Sequence, residues 1–162
     1  VVQSRTNTQQ NPEPDFYLRV ATEIEALEKV LQWYEDSIRF RLPDRASWEC
    51  ELALNEGFVN AVQHAHKNLP KETPIELKLT ITDNYLWIEI WDQGEPFDLI
   101  AELEALKQSD LEPLEHESKR GLLFMEQLTD DLQYLRSNQW QNCLRMGKKL
   151  DFSNSSFNQA SS

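Results

Sequence analysis

Glu56, Asn60 and His64 stand four residues apart in the stretch WECELALNEGFVNAVQHAHKN. At about 100° per residue they share one side of a helix, with Leu54, Phe58, Ala61 and Ala65 on the other. Glu49 and Gln63 lie near the polar side. A carboxylate one turn from a carboxamide offers a general base beside an oxygen donor for a hard cation. Magnesium takes such donors, keeps several waters and completes its shell with substrate phosphates. The plainer reading is the solvated face that any amphipathic helix has. Against it stand Asn60, a poor helix-interior residue, and Gly57, which costs about 1 kcal/mol relative to alanine. The face also lacks the Lys and Arg partners that usually decorate such surfaces.

Two further stretches have unusual chemistry. DQGEPFD (92–98) follows the alternating run YLWIEIW and ends it in an acid and a glycine. A turn accounts for that pattern, and so does a pocket for a small ligand. In ESKRGLLFMEQLTDDLQY (117–134), Gly121 opens a helical pattern just after Lys119 and Arg120. Helix N-termini present unpaired N–H groups and a positive dipole end, which suit phosphate; an ordinary loop-to-helix junction reads the same way. The chain has only four glycines, and Gly57, Gly94 and Gly121 fall in these three stretches. His66 and His116 read as surface residues, and Leu122, Met125 and Leu128 as core. No GxxxxGK[ST] or GxGxxG is present, so Walker and Rossmann loops are excluded.

The elements that must hold these residues follow from periodicity. FYLRV (16–20) reads as a strand. Thr22 and Glu25 form a capping-box pattern for a helix reaching about Phe40, with Ile24, Leu27, Val30, Leu31, Tyr34 and Ile38 as its apolar stripe. Pro43 punctuates, and a second helix is expected from about Ser47 to Lys67. IELKLTITD and YLWIEIWD form a hairpin through a turn near Asp83-Asn84. Asp98 is the expected N-cap of DLIAELEAL. Residues 107–119 are charged and irregular, GLLFMEQLTD is helical, and DLQYLRS and QWQNCLRMG close the domain as strands. The sum is an α+β fold, a two-layer sandwich with a mixed or antiparallel sheet and helices on one face. One domain is expected over 16–150, between flexible tails at 1–15 and 151–162.

The chain of 162 residues carries 28 acids against 16 bases, a net charge of −12. Such a surface argues against nucleic acid and anionic membranes as partners. Two cysteines, Cys50 and Cys143, fit a reducing compartment. No apolar run approaches the roughly 20 residues of a membrane span, and the polar start lacks a signal-peptide core; a cytoplasmic location is expected.

Taken together, the three stretches resemble the GHKL ATPases. NEGFVNAVQHA is similar to their N box, DQGEPFD to their first glycine box, and RGLLFMEQLTDDLQY to their second. The E-x-x-x-N-x-x-x-H-A form and the spacing resemble the anti-sigma-factor serine/threonine kinase branch, over about residues 16 to 147. The resemblance implies a Bergerat-type ATP-binding fold, with ATP and Mg2+ as cofactors. Glu56 would be the catalytic base and Asn60 the metal ligand. His64, Asp92, Gly94 and Phe97 join Asn60 in the nucleotide-binding set, with Asp92 accepting from the adenine amino group and Gly94 letting backbone approach the ring. Residues 99–119 would form the ATP lid, and Lys119, Arg120, Gly121 and Leu122 would lie at the phosphate end. It implies transcription regulation by partner switching, with a sigma factor and a STAS-type antagonist as partners, and it allows a homodimer. One departure stands out: Lys119 occupies the place of the second box's first glycine, which leaves ATP binding better supported than fast phosphoryl transfer. The alternatives are an ATP-binding regulatory module with little or no kinase activity, a fragment of a histidine kinase, and an α+β domain without a ligand.

Overall fold

Strict alternation of apolar and polar residues sets the sheet. β2 (Ile75–Ile81) and β3 (Tyr85–Asp92) bury every second side chain, as strands with one face in a core do. The computed structural model describes residues 15–108, 119–138 and 140–153. Within them, β1 (Asp15–Val20), β4 (Asp131–Arg136) and β5 (Asn142–Lys149) complete a five-stranded sheet in the order β1-β2-β3-β5-β4. All four pairings are antiparallel, which selects one of the two expected sheet types. The register runs Leu18, Leu77, Ile90, Leu144 and Tyr134 across the sheet in one row. The row beyond ends on a polar pair, Asp92 opposite Asn142.

Among the described residues, four helices cover the apolar face: α1 (Leu27–Ile38), α2 (Asp44–Asn60), α3 (Leu99–Gln108) and α4 (Arg120–Leu128). Val30 and Tyr34 of α1, Leu54 and Phe58 of α2, and Met125 of α4 share one core with Leu79, Ile88 and Met146 of the sheet. The other face carries Tyr85 stacked on Trp87, with the Arg145 guanidinium 4.0 Å over the Trp87 ring. No helix among the described residues is long and apolar enough to cross a membrane. Both cysteines are buried and unpaired, and burial pushes both thiols up to about 12, so neither offers a thiolate.

Local signals played out unevenly. Asp98 caps α3 as expected, accepting the Ala101 N–H at 3.0 Å. The Asp83-Asn84 turn is closed by Thr82, whose hydroxyl accepts the Tyr85 N–H at 2.9 Å. The capping box of Thr22 and Glu25 does not form. A short 3-10 turn, Ile24–Ala26, precedes α1 without a side-chain cap, and the Thr22 hydroxyl donates instead to the Thr73 carbonyl at 2.6 Å. α2 starts immediately after Pro43, three residues before the expected Ser47, because Pro43 holds φ at −59° and lacks only an N–H the first turn does not need. Of the tails expected at 1–15 and 151–162 and the lid expected at 99–119, residues 1–14, 154–162 and 109–118 lie outside the described residues; Asp15 opens β1, and 99–108 form α3.

Two contacts seat α2 on the sheet. A Cβ on Gly57 would fall 2.7 Å from Ile90 Cδ1 and 3.3 Å from Leu144 Cδ2, so the missing side chain lets the helix lie close over β3 and β5. Glu49, expected near the polar face, turns instead to Lys148 of β5 and to Arg45 (2.7 Å) in a charged cluster. The Lys148 hydrogen bond first, then Arg45, hold the Glu49 carboxyl below its usual range against the opposing effect of burial. The stabilisation is complete above the ordinary glutamate pKa and is lost as pH falls through the depressed one. Glu49→Gln should therefore cost on the order of 2 kcal/mol at neutral pH. Denaturant unfolding at neutral pH and at pH about 3 should show that gap narrowing in acid; a gap of equal size at both would contradict the assignment.

Candidate functional site

The polar end of the sheet is built around Asp92, the last residue of β3, which is only 4 % exposed. A buried carboxyl needs donors, and three arrive from separate elements. Asp92 Oδ1 accepts the Gly94 N–H and the Asn142 Nδ2 amide, each at 2.9 Å. Among the described residues, Oδ2 receives only the Tyr134 hydroxyl, at a long 3.4 Å. Asn142 is fully buried and fully engaged: its Nδ2 also donates to the Gly94 carbonyl (2.9 Å), and its Oδ1 accepts Arg136 Nη1 (2.8 Å). Burial, then the negative charge of Asp92, push the Tyr134 phenol up, so it remains a donor.

Beside this group lies a cavity of about 210 Å³, lined by Asn60, Ala61 and His64 from one side and Asp92, Phe97 and Tyr134 from the other. Phe97 packs on the Tyr134 ring at 4.3 Å between centroids. Four of the residues singled out in the sequence, Asn60, His64, Asp92 and Phe97, thus meet around one cleft. Asn60 is half-buried and His64 exposed, and neither side chain has a hydrogen bond or ion pair among the described residues.

α2 does not end as a regular helix. A π turn, Ala61–Ala65, follows Asn60, closed by the His66 N–H on the Ala61 carbonyl at 2.9 Å. It brings the backbone of Ala65 against Gly94, where a Cβ would fall 2.2 Å from the Ala65 carbonyl oxygen. A demand for glycine at 94 therefore comes from the protein's own backbone. The π turn also corrects the reading of His66 as a surface residue: it is 1 % exposed. In an α-helix five residues leave residue 66 roughly 140° from residue 61, whereas i→i+5 bonding makes five residues little more than one turn. His66 accordingly joins buried Ala61 on the inner side.

The second glycine box meets α2 rather than the cavity. A Cβ on Gly121 would sit 2.7 Å from Glu56 Oε2, so the first turn of α4 closes directly over that carboxylate. Leu122 is buried in the hydrophobic core. Lys119 pairs with Glu102 of α3 at 3.6 Å, and Arg120 is exposed without an ion pair to a described residue. Glu56, Gly94, Lys119, Arg120, Gly121 and Leu122 do not line the cleft around Asp92. Glu56 joins the two halves, one helical turn before Asn60 and under Gly121.

Sequence reasoning passed over Tyr134, Arg136 and Asn142. Their signal is visible in retrospect: Asn142 alternates with Leu144 and Met146, a polar residue on the inward phase of a strand. What periodicity lacks is the cross-strand register that sets it opposite Asp92. As for a metal, no cluster of three or more His, Cys, Asp or Glu suited to a metal ion occurs among the described residues. Asn60 lines the cleft and brings a carboxamide oxygen, a donor that suits a cation completed by phosphate and water rather than by a protein cage.

A model of the histidine kinase-like ATPase domain matches residues 20–148. No curated protein matches the sequence significantly. Among solved structures, the RsbU and RsbW domains of Rv1364c from Mycobacterium tuberculosis superpose with a TM-score of 0.60 at 14 % identity, over 86 % of this chain. The chain spans 33 % of that structure's length. At this identity the likeness speaks for the fold, an α+β sandwich of this type.

The contact between Gly94 and Ala65 is backbone to side-chain position, so no rotamer change relieves it. Gly94→Ala should destabilise the domain by about 1–3 kcal/mol and lower its melting temperature. Calorimetric melting that matches wild type would show that the two backbones are not in contact.

Proposed function

The chain belongs to the histidine kinase-like ATPase domain family, and from that premise we propose that it binds ATP with magnesium in the cleft beside Asp92 and acts as an anti-sigma-type serine/threonine kinase. The single observation that carries the ATP reading is the asymmetry of Asp92. Two donors occupy Oδ1, while among the described residues Oδ2 has only a long contact to Tyr134. A buried acceptor with capacity left over recognises a donor, such as the exocyclic amino group of adenine, and disfavours a base that presents an oxygen there. Phe97, packed on Tyr134, gives the same cleft an aromatic wall.

In this reading Asn60 holds the magnesium, which when bound neutralises phosphate charge. Glu56, under the first turn of α4, accepts the proton of an attacking Ser or Thr hydroxyl; the hydroxyl oxygen bonds to the γ-phosphorus and ADP departs with the former bridging oxygen. Gly121 leaves the room in which the Glu56 carboxylate sits. Arg120, and Lys119 once released from Glu102, face the triphosphate at the helix N-terminus. Gly94 and His64 shape the purine end, and Leu122 anchors α4. The partners are a sigma factor and a STAS-type antagonist, by the likeness of the three boxes. Phosphate added to the antagonist brings roughly −2 charge and breaks one complex in favour of another. The setting is cytoplasmic, the role transcriptional regulation, and a homodimer is allowed.

A second reading, a nucleotide-gated module with little catalysis, is favoured by Lys119, which stands where a flexible glycine is expected and is tied to α3. Two experiments separate these. In calorimetric titration with ATP and magnesium, Asp92→Ala should lose about 10- to 100-fold in affinity even without the metal, and Asn60→Ala mainly the magnesium-dependent part. With labelled ATP and candidate antagonists, wild type should transfer label and Glu56→Ala should not. ATP binding without any transfer would leave only the module.

A further inference from the structure

We propose that His66 is a positioning residue for nucleobase recognition: through Nε2 it holds the backbone of Gln93, and with it the turn that carries Asp92. The proposal rests on the adenine reading of Asp92 given above.

The geometry is closed at every atom. The Gln93 N–H donates to His66 Nε2 at 2.7 Å, which makes Nε2 the acceptor of the ring. Nδ1 therefore carries the proton and donates to Thr22 Oγ1 at 2.7 Å, and the Thr22 hydroxyl passes its own hydrogen to the Thr73 carbonyl at 2.6 Å. Three bonds in series thus select one tautomer and fix the ring plane. Burial favours the neutral imidazole this arrangement requires, against the charge of Asp92.

Residues 92 to 94 are consequently held from two sides. Asn142 grips Asp92 Oδ1 and the Gly94 carbonyl from the sheet. His66 grips the intervening N–H from the end of the π turn. Neither residue needs to touch a nucleotide to act. Together they fix where Asp92 Oδ2 points, and preorganised acceptors discriminate more sharply than mobile ones. Removing the His66 acceptor takes away the protein partner of the Gln93 N–H and lets the turn shift.

The test compares ATP with inosine triphosphate, which shares the ribose and phosphates but carries an oxygen in place of the amino group. Affinities for both are measured on wild type, His66→Leu, His66→Gln and Thr22→Val. His66→Leu should lose about tenfold in ATP affinity while inosine triphosphate changes far less, so the ratio collapses. His66→Gln, whose carboxamide oxygen reaches the position of Nε2, should recover most of the ratio. Thr22→Val, which leaves the ring but frees its tautomer, should lose part of it. General destabilisation would weaken both nucleotides alike and leave the ratio unchanged. An unchanged ratio in His66→Leu, or in Thr22→Val should the former fail to fold, overturns the proposal alone. Wild-type protein that binds both nucleotides equally overturns the adenine reading at Asp92 and this proposal with it.

Discussion

An acid that is 4 % exposed at the end of a central strand is the constraint around which this domain is arranged. Removing a carboxyl group from water is unfavourable by several kcal/mol unless donors replace the water. Here the donors come from three places, and each imposes a further condition. Asn142 must itself be satisfied, which draws in Arg136. The Gly94 N–H reaches Asp92 only with the chain folded back against Ala65, which forbids a side chain at 94. Ala65 is in that place because α2 finishes in a π turn, and the turn carries His66 under the sheet end to meet Gln93. One buried carboxyl thus connects three strands with the end of a helix.

The second condition is that α2 sits at a fixed height over the sheet. Gly57 lets it approach Ile90 and Leu144, and the cluster of Glu49 with Lys148 ties its N-terminal half to β5. Glu56 and Asn60 flank Gly57 on the same helix, so their position relative to Asp92 is set by close packing rather than by loops. Sites on rigid elements hold geometry better than sites on loops. That is the arrangement phosphoryl transfer needs, since positioning and charge supply most of the catalysis.

Much of this was legible in the sequence, and the physical reasons are specific. Alternation identified β2 and β3 because one face of each is buried and the other is less so. The spacing of Glu56, Asn60 and His64 identified a common helical face because α2 is regular through Asn60. Asp98 was readable as a cap because its bond is three residues away. The failures are mostly non-local. Thr22 carries the pattern of a capping box, but His66 and the Thr73 carbonyl are better partners, and they lie more than 40 residues on. His66 was misplaced because one π turn changes the angular period, and nothing in AVQHAH announces it. Asn142 and Tyr134 were overlooked because a single strand does not reveal what lies opposite.

The ion pair of Lys119 with Glu102 bears on whether a lysine at this position blocks turnover. Both side chains are about half exposed, at 54 % and 42 %. Exposed pairs of this kind contribute only about 0–1 kcal/mol. A triphosphate carries several negative charges, and charge-assisted bonds to phosphate are among the stronger polar contacts. In the proposed complex, exchange of Glu102 for phosphate at Lys119 would therefore be downhill. Lys119 itself sits at φ −110°, in right-handed backbone that any residue adopts, so its side chain adds no strain where α4 begins. An exposed ion pair of this size is therefore no obstacle to a phosphate at Lys119.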